Sequence, residues 1–325
     1  MAEHQNKLSF HSSGILLVDK PEGPTSAQVV QKVKRMLGAK KVGHLGTLDP
    51  FASGLLPLGV NDGTKIADIF LNAPKSYSGV VALGVETDTQ DATGKVLGVA
   101  DVPSLGDQEI ERLRAAFTGT LQQIPPMFSA LKQSGVRLYR LARRGQSVPR
   151  SPREVKIEQL RLWKMGAREL GFEVACSKGT YIRTLAADMG KFLGCGAHLK
   201  SLTRLSCGRL TLDRAVSLAE LETLKERGEK IPMLSLNQAL EHLREVRLEE
   251  RFLSRLRRGQ QEVLVALGRP KEGEKMVRVV DSEGSLVALA HWVEGGTGRP
   301  WRLFRVFAAE VPEARRDARL KTEWQ

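Results

Sequence analysis

The segment GHLGTLDPFASGLLPLGVNDGTK, residues 43–65, constrains this chain more than any other. It carries five glycines and two prolines among many apolar side chains. Gly lacks the Cβ that keeps a backbone at a distance, so the segment reads as a loop built for close approach to a ligand. Short elements flank it. GILLVDK (14–20) reads as a buried strand ending in the Pro/Gly turn PEGP. A helix should open at Thr25, with Gln28 completing a capping box and Gly38 stopping it; Val29, Val30, Val33, Met36 and Leu37 fall on one face.

Downstream, KSYSGVVALGVE (75–86) has strand composition, and DATG (91–94) is a turn into KVLGVA. DQEIERLRAAFTG (107–119) reads as a capped helix ending on Gly119. REVKIEQLRLWKM and LGFEVACS read as strands. A helix from Thr180 to Leu193 puts Ile182, Leu185, Ala186, Met189 and Phe192 on one face, and SLAE (217–220) is a second capping box. Composition shifts near residue 237. After a short helical stretch, EVLVAL, KMVRVVDSEGSLVALAHWV and RPWRLFRVFA read as strands of a small β domain, followed by a solvated tail from 313.

Charge adds a partner. The 325 residues carry a net charge of +13, and such an excess of Lys and Arg favours a polyanion, because neutralising phosphates releases counterions. The charge is clustered. Residues 23–48 contain no acid but include Lys32, Lys34, Arg35, Lys40 and Lys41. Residues 132–156 hold eight basic residues, Arg143 and Arg144 among them, against the single acid Glu154. The stretch 124–152 is basic, broken by Pro and Gly, and expected to be a mobile insertion. No apolar run approaches the roughly 20 residues that span a bilayer, and the first residues show no signal-like apolar core. Three cysteines fit a reducing compartment. A cytoplasmic protein is expected.

Several familiar sites are missing: no phosphate loop, no GxGxxG, no GxSxG elbow and no HExxH. Cys176, Cys195, His198 and Cys207 lack the CxxC spacing of structural zinc. What remains is KKVGHLGTLDPFASGLLPLGV, which closely resembles the signature of the TruB-type tRNA pseudouridine synthases. GILLVDKPEGPTS, KSYSGVVALGVETDTQDATG and CSKGTYIRTLAADMG are similar to further family motifs in order and spacing. The resemblance runs from about Gly14 to Gly208.

The resemblance implies an α/β (α+β) fold: a mixed, largely antiparallel sheet with flanking helices over 9–236, then a PUA-like RNA-binding β domain over 237–312. It implies isomerisation of uridine 55 in the tRNA T-loop. That reaction cleaves the N1–C1′ bond, turns the base and rejoins it through C5, so no cofactor and no metal are expected. Asp49 in GTLDP would be the nucleophile, although an Asp before Pro is by itself an ordinary turn residue. Arg183 in GTYIRTL would be its cationic partner. Tyr77 in KSY would stack on the base and take part in proton transfer. His44 would contact the extruded nucleotide, Lys20 would lie close by, and Arg143 and Arg144 would bind RNA. The expected partner is the T-arm of tRNA, met by a monomer. Two rivals stand beside this reading: a non-catalytic RNA-binding or RNA-folding protein on the same scaffold, and a guide-RNA-dependent, dyskerin-like enzyme.

Overall fold

A computed structural model describes residues 10–133, 135–294 and 301–307. Strand β1, Gly14–Lys20, is buried at every position except Asp19, the pattern of a strand covered on both faces. Helix α1, Ser26–Leu37, forms as its sequence demands. The Thr25 side chain caps the Gln28 N–H, Gln28 returns the bond, and Gly38 closes the helix at φ +66°. Val29, Val30, Val33 and Leu37 face the core, while Met36 is only partly covered.

The segment 43–65 is not the open loop that its glycines suggest. Strand β2, Val42–His44, enters it, and β3, Ser53–Val60, is a strand buried from Gly54 onward. Pro57 is tolerated there because a strand proline loses only its N–H; its carbonyl still accepts from Leu45 N–H at 2.8 Å. The true loop shrinks to residues 45–52. A 3₁₀ turn, Asn61–Ile66, and α2, Ala67–Leu71, lead to β4, Lys75–Leu83. Gly84, at φ +83°, breaks the run before β5, Val85–Thr87, which pairs with β6, Val96–Val99.

Helix α3, Asp107–Ala116, stops three residues before the expected Gly119. That glycine, at φ +99°, instead opens a strand not foreseen, β7, Gly119–Gln123. The basic stretch holds two two-residue strands, β8 (Lys132–Gln133) and β9 (Val136–Arg137), and the short helix α4, Leu138–Ala142. Next come β10, Arg153–Gly166, and β11, Glu169–Cys176. Helix α5, Ile182–Phe192, buries Ile182, Leu185, Ala186 and Met189, but Phe192 at its last position is exposed and meets Phe117 edge-on. Strand β12, Ala197–Cys207, is followed by β13 (Leu210–Thr211), β14 (Val216–Ser217) and α6 (Leu218–Glu226), which Ser217 caps through the Glu220 N–H.

These strands form one mixed sheet in the order β14-β1-β3-β12-β4-β11-β10-β7. The pairs β12–β4, β4–β11, β11–β10 and β10–β7 are antiparallel, whereas β1–β14 and β3–β12 are parallel. Contacts divide the chain into two units. The first comprises Leu16–Leu58 and Ala67–Pro232; the second comprises His11–Ile15, Gly59–Ile66 and the described residues from Met233 onward.

In the second unit, β15 (Met233–Leu234) and the capped α7 (Leu236–Ala239) precede β16 (Arg244–Arg247) and α8 (Glu250–Arg257). Strands β17 (Met276–Val280), β18 (Leu286–Trp292) and β19 (Trp301–Val306) join β16 in a four-stranded sheet. EVLVAL is not a strand but part of a 3₁₀ helix, Gln261–Leu267. Its burial explains why: Val263, Leu264 and Leu267 pack inward while Val265 is exposed, a helical rather than an alternating pattern. The tail from 313 lies outside the described residues.

Candidate active site

Asp49 sits in the loop between β2 and β3, and the bonds that fix it run to the backbone on either side of it. Ser26, the first residue of α1, donates its hydroxyl to Leu48 O at 2.8 Å and accepts from Leu48 N–H at 2.9 Å. On the other flank, the Lys20 ammonium donates to Pro50 O at 3.2 Å, and also to Pro21 O at 2.7 Å and Pro24 O at 2.9 Å. Lys20 is fully buried at the end of β1. Burial lowers its pKa to about 8, against the opposing pull of Glu22 and Asp49. The structure therefore makes Lys20 a tie between the PEGP turn and the Asp49 loop. Gly23 N–H reinforces that tie by donating to Pro50 O at 2.8 Å.

Asp49 faces Arg183, which reaches it from the first turn of α5. Arg183 Nε donates to Asp49 Oδ2 at 2.9 Å; the guanidinium is 6% exposed and the carboxylate 39%. The arginine is thus anchored inside, while the acid keeps a face open. Arg183 spends its remaining donors on backbone: Nη1 on Thr89 O at 3.0 Å and Nη2 on Phe128 O at 2.8 Å. Nη1 also lies 3.6 Å from Asp91 Oδ2. A fork held at each of its three nitrogens cannot swing away, so the direction of its Nε–H is fixed.

Asp91 lies within the turn read from sequence. Its Oδ1 accepts from Thr89 Oγ1 at 2.7 Å, Thr93 N–H at 3.0 Å and Thr93 Oγ1 at 2.5 Å. Gln90, between the two Arg183 contacts, adopts φ +62°, an uncommon place for a side chain with a Cβ. It is held there by Thr184 Oγ1 on its side chain at 3.0 Å and by Leu199 N–H on its carbonyl at 3.0 Å. Buried Gln123, at the end of β7, exchanges two bonds with the Tyr181 backbone and so sets where α5 begins.

Tyr77 stands on β4 directly opposite Arg204 of β12. Burial pushes its phenol up to about 12, against the pull of the Arg204 guanidinium. Tyr77 is therefore a neutral hydroxyl at ordinary pH. Burial, with Arg204 adding to it, lowers the pKa of His44 below the usual histidine range, so its ring is uncharged at neutral pH. His44 Nδ1 is buried without a hydrogen-bond partner among the described residues, a position that a bound molecule could satisfy. Arg143 and Arg144 are exposed at the end of α4, with Arg143 5.7 Å from the Tyr139 ring centre.

Arg204, Asp91, Gln123 and Ser26 were not singled out from sequence. The one readable signal was Arg204, which falls two residues after Leu202 on the inward parity of a strand, where an unpaired cation is uncommon. No group of three or more potential metal ligands occurs among the described residues. Cys176, Cys195 and Cys207 are each buried near a backbone carbonyl. No described helix is long and apolar enough to cross a membrane.

Comparison with known proteins places the chain. The model for the TruB family pseudouridylate synthase N-terminal domain matches residues 34–182, and that for the tRNA pseudouridylate synthase B C-terminal domain matches 183–246. A tRNA pseudouridine synthase B of Geobacter sulfurreducens is 47% identical over 247 residues, 76% of this chain and 81% of that protein. Its counterpart in Dechloromonas aromatica is 44% identical over 90% of this chain and 96% of its own. The fold resembles the crystal structure of a Cbf5–Nop10–Gar1 complex with a TM-score of 0.67 at 26% identity, covering 91% of this chain and 85% of that one. A mixed sheet of this kind, with these matches, defines a pseudouridine synthase, an isomerase. Within that class, the chain belongs to the TruB family.

Proposed function

We propose that this enzyme converts uridine 55 in the T-loop of tRNA to pseudouridine without a cofactor, with Asp49 as the nucleophile. The observation that carries the proposal is the Arg183 Nε–Asp49 Oδ2 contact of 2.9 Å on a carboxylate that remains 39% exposed. One oxygen is held by the guanidinium, and Oδ1 has no hydrogen-bond partner among the described residues. That is the arrangement an attacking carboxylate requires: charge stabilised, direction set, one oxygen open. The names of the relatives support tRNA as the substrate.

A folded T-arm must first extrude its uridine, at a cost of roughly a few kcal/mol of unstacking. His44, neutral and with an unmet Nδ1, is suited to hydrogen-bond the displaced nucleotide. Attack at C1′, attack at C6 and removal of a ribose proton all begin from ionised Asp49. Whichever bond forms first, N1–C1′ breaks, C5 bonds to C1′, the C5 proton leaves and N1 ends protonated, so the product is an isomer. Tyr77 stacks on the base and, as a neutral phenol, supplies a proton or hydrogen bond rather than acting as an anionic base. The exposed Arg143 and Arg144 take phosphates of the T-arm. The sheet from β16 to β19, within 237–312, serves as a PUA-like RNA-binding domain, and the working form is a cytoplasmic monomer.

The test is incubation with an unmodified tRNA transcript and no cofactor, followed by mapping of pseudouridine. Product at uridine 55 alone is expected. Asp49→Asn should abolish product while tRNA affinity stays within about twofold, since an amide can serve neither as nucleophile nor as base. Modification elsewhere in the transcript, or variant turnover above a few per cent of wild type, would refute the assignment.

A further inference from the structure

Arg204 is the largest side chain buried to within 2% of completeness, and none of its ion pairs with an acid appears among the described residues. A buried guanidinium without a carboxylate partner is costly unless its donors are met in full. Here each of its three nitrogens donates to a carbonyl. Nε donates to Leu55 O at 2.7 Å, Nη1 to Thr47 O at 3.1 Å and Nη2 to Gly46 O at 3.2 Å. Those three acceptors bracket Asp49, two before it and one after. The same guanidinium stands directly across the β12–β4 pair from Tyr77, close enough that its charge pulls on the phenol.

The backbone around Arg204 is fitted to this task. Gly54, at φ +97°, lies opposite Arg204 in the parallel β3–β12 pair; a Cβ there would meet Arg204 O at 2.5 Å and Arg204 N at 2.8 Å. The β12–β4 register shifts between Arg204 and Ser206, a bulge that re-aims side chains at this point. Arg204 thus stands where the strand leaving the Asp49 loop and the strand carrying Tyr77 meet on a common neighbour. Its hydrogen bonds go to the backbone around Asp49 and not to the Asp49 carboxylate.

We propose that Arg204 is a positioning residue for the reaction, locking the Asp49 loop and the Tyr77 hydroxyl into one frame. Directly opposite the phenol, the guanidinium sets the charge beside the Tyr77 hydroxyl, while its three carbonyl bonds set the loop. A Lys at this place keeps one charge but presents a single point of donation, so it cannot bridge both flanks of Asp49 while facing the phenol. The proposal rests on the functional reading above, because it assigns Arg204 an effect on that chemistry.

The experiment compares wild type, Arg204→Lys, Tyr77→Phe and the double variant in single-turnover assays on the tRNA transcript, below each thermal midpoint, with tRNA affinity measured in parallel. Arg204→Lys should lower the single-turnover rate at least tenfold while affinity stays within about twofold. Its cost should shrink in the Tyr77→Phe background, where the hydroxyl it faces is already gone. A merely structural Arg204 would lower the thermal midpoint and leave the rate of the folded protein unchanged; that result, or losses that multiply fully in the double variant, overturns the proposal. If Arg204→Lys does not fold, Arg204→Gln takes its place. Wild-type protein gives a separate reading: the Arg204 Nε–H should exchange with solvent far more slowly than those of exposed arginines, and fast exchange also overturns the clamp. Wild type inactive on every tRNA transcript would instead defeat the functional reading, leaving the exchange measurement to judge the clamp alone.

Discussion

At the residue scale, Tyr77 and Lys20 show how burial chooses a chemical role. Tyr77 is pushed up to about 12, so its contribution is a proton held, not a charge. If the hydroxyl takes part in proton transfer, Tyr77→Phe should cut the single-turnover rate by roughly 10²–10⁴ with little change in thermal midpoint. If the ring only stacks, Phe should pass, and Tyr77→Leu should weaken the site by about 1–3 kcal/mol. The two variants assayed side by side separate these outcomes, and we expect the first. Lys20 makes a different prediction. Its folded pKa, about 8, lies below the ordinary lysine value of 10.5, so between those values the unfolded chain binds more protons. Stability from this group therefore rises with pH across that window. Denaturant midpoints measured from pH 8 to 10.5 should show this slope in wild type and lose it in Lys20→Met.

At the scale of elements, what was legible followed from local chemistry. Thr25, Gln28 and Gly38 announce α1 because caps are short-range, and the observed bonds are those three residues' own. Asp49 and Arg183 were named through motifs and meet at 2.9 Å, although 134 residues separate them. What escaped depended on distant partners. Strand β3 was hidden by Gly54, Pro57 and Gly59, and its pairing with β1, β2 and β12 makes it a strand. Arg204 shows in the sequence only as a cation on the inward parity of its strand; what it holds emerges once the carbonyls of Gly46, Thr47 and Leu55 are brought around it. The stretch 124–152 supplies the prediction at this scale. Five of its basic residues, Lys132, Arg137, Arg140, Arg143 and Arg144, are exposed, and its regular structure amounts to α4 and two two-residue strands. Short elements with exposed backbone open at little cost. Limited proteolysis should cut there first, and tRNA should protect it; cleavage that tRNA leaves unchanged would count against an RNA-binding role.

At the scale of the whole molecule, the excess of +13 sets the terms of encounter with RNA. Each phosphate neutralised should contribute roughly 0.7–0.9 to the slope of log affinity against log salt. Titrations between low and physiological salt should therefore show a steep fall, and replacing Arg143 and Arg144 together should flatten it by up to about two such steps. A flat response in wild type would remove the basic clusters from the interface.

The ties on the Asp49 loop have a consequence for how this enzyme can change. Ser26, Lys20 and Arg204 grip carbonyls and an amide of the loop, never its side chains. Main-chain groups are the same whatever residue bears them, so the grip is blind to the loop's own spelling. Thr47 is exposed, and Phe51 is only partly covered. Either can be exchanged without loosening a single one of these ties. The loop is in effect a fixed mount with replaceable fittings: its outward surface can be retuned by substitution while the aim of Asp49 stays where three distant side chains have set it.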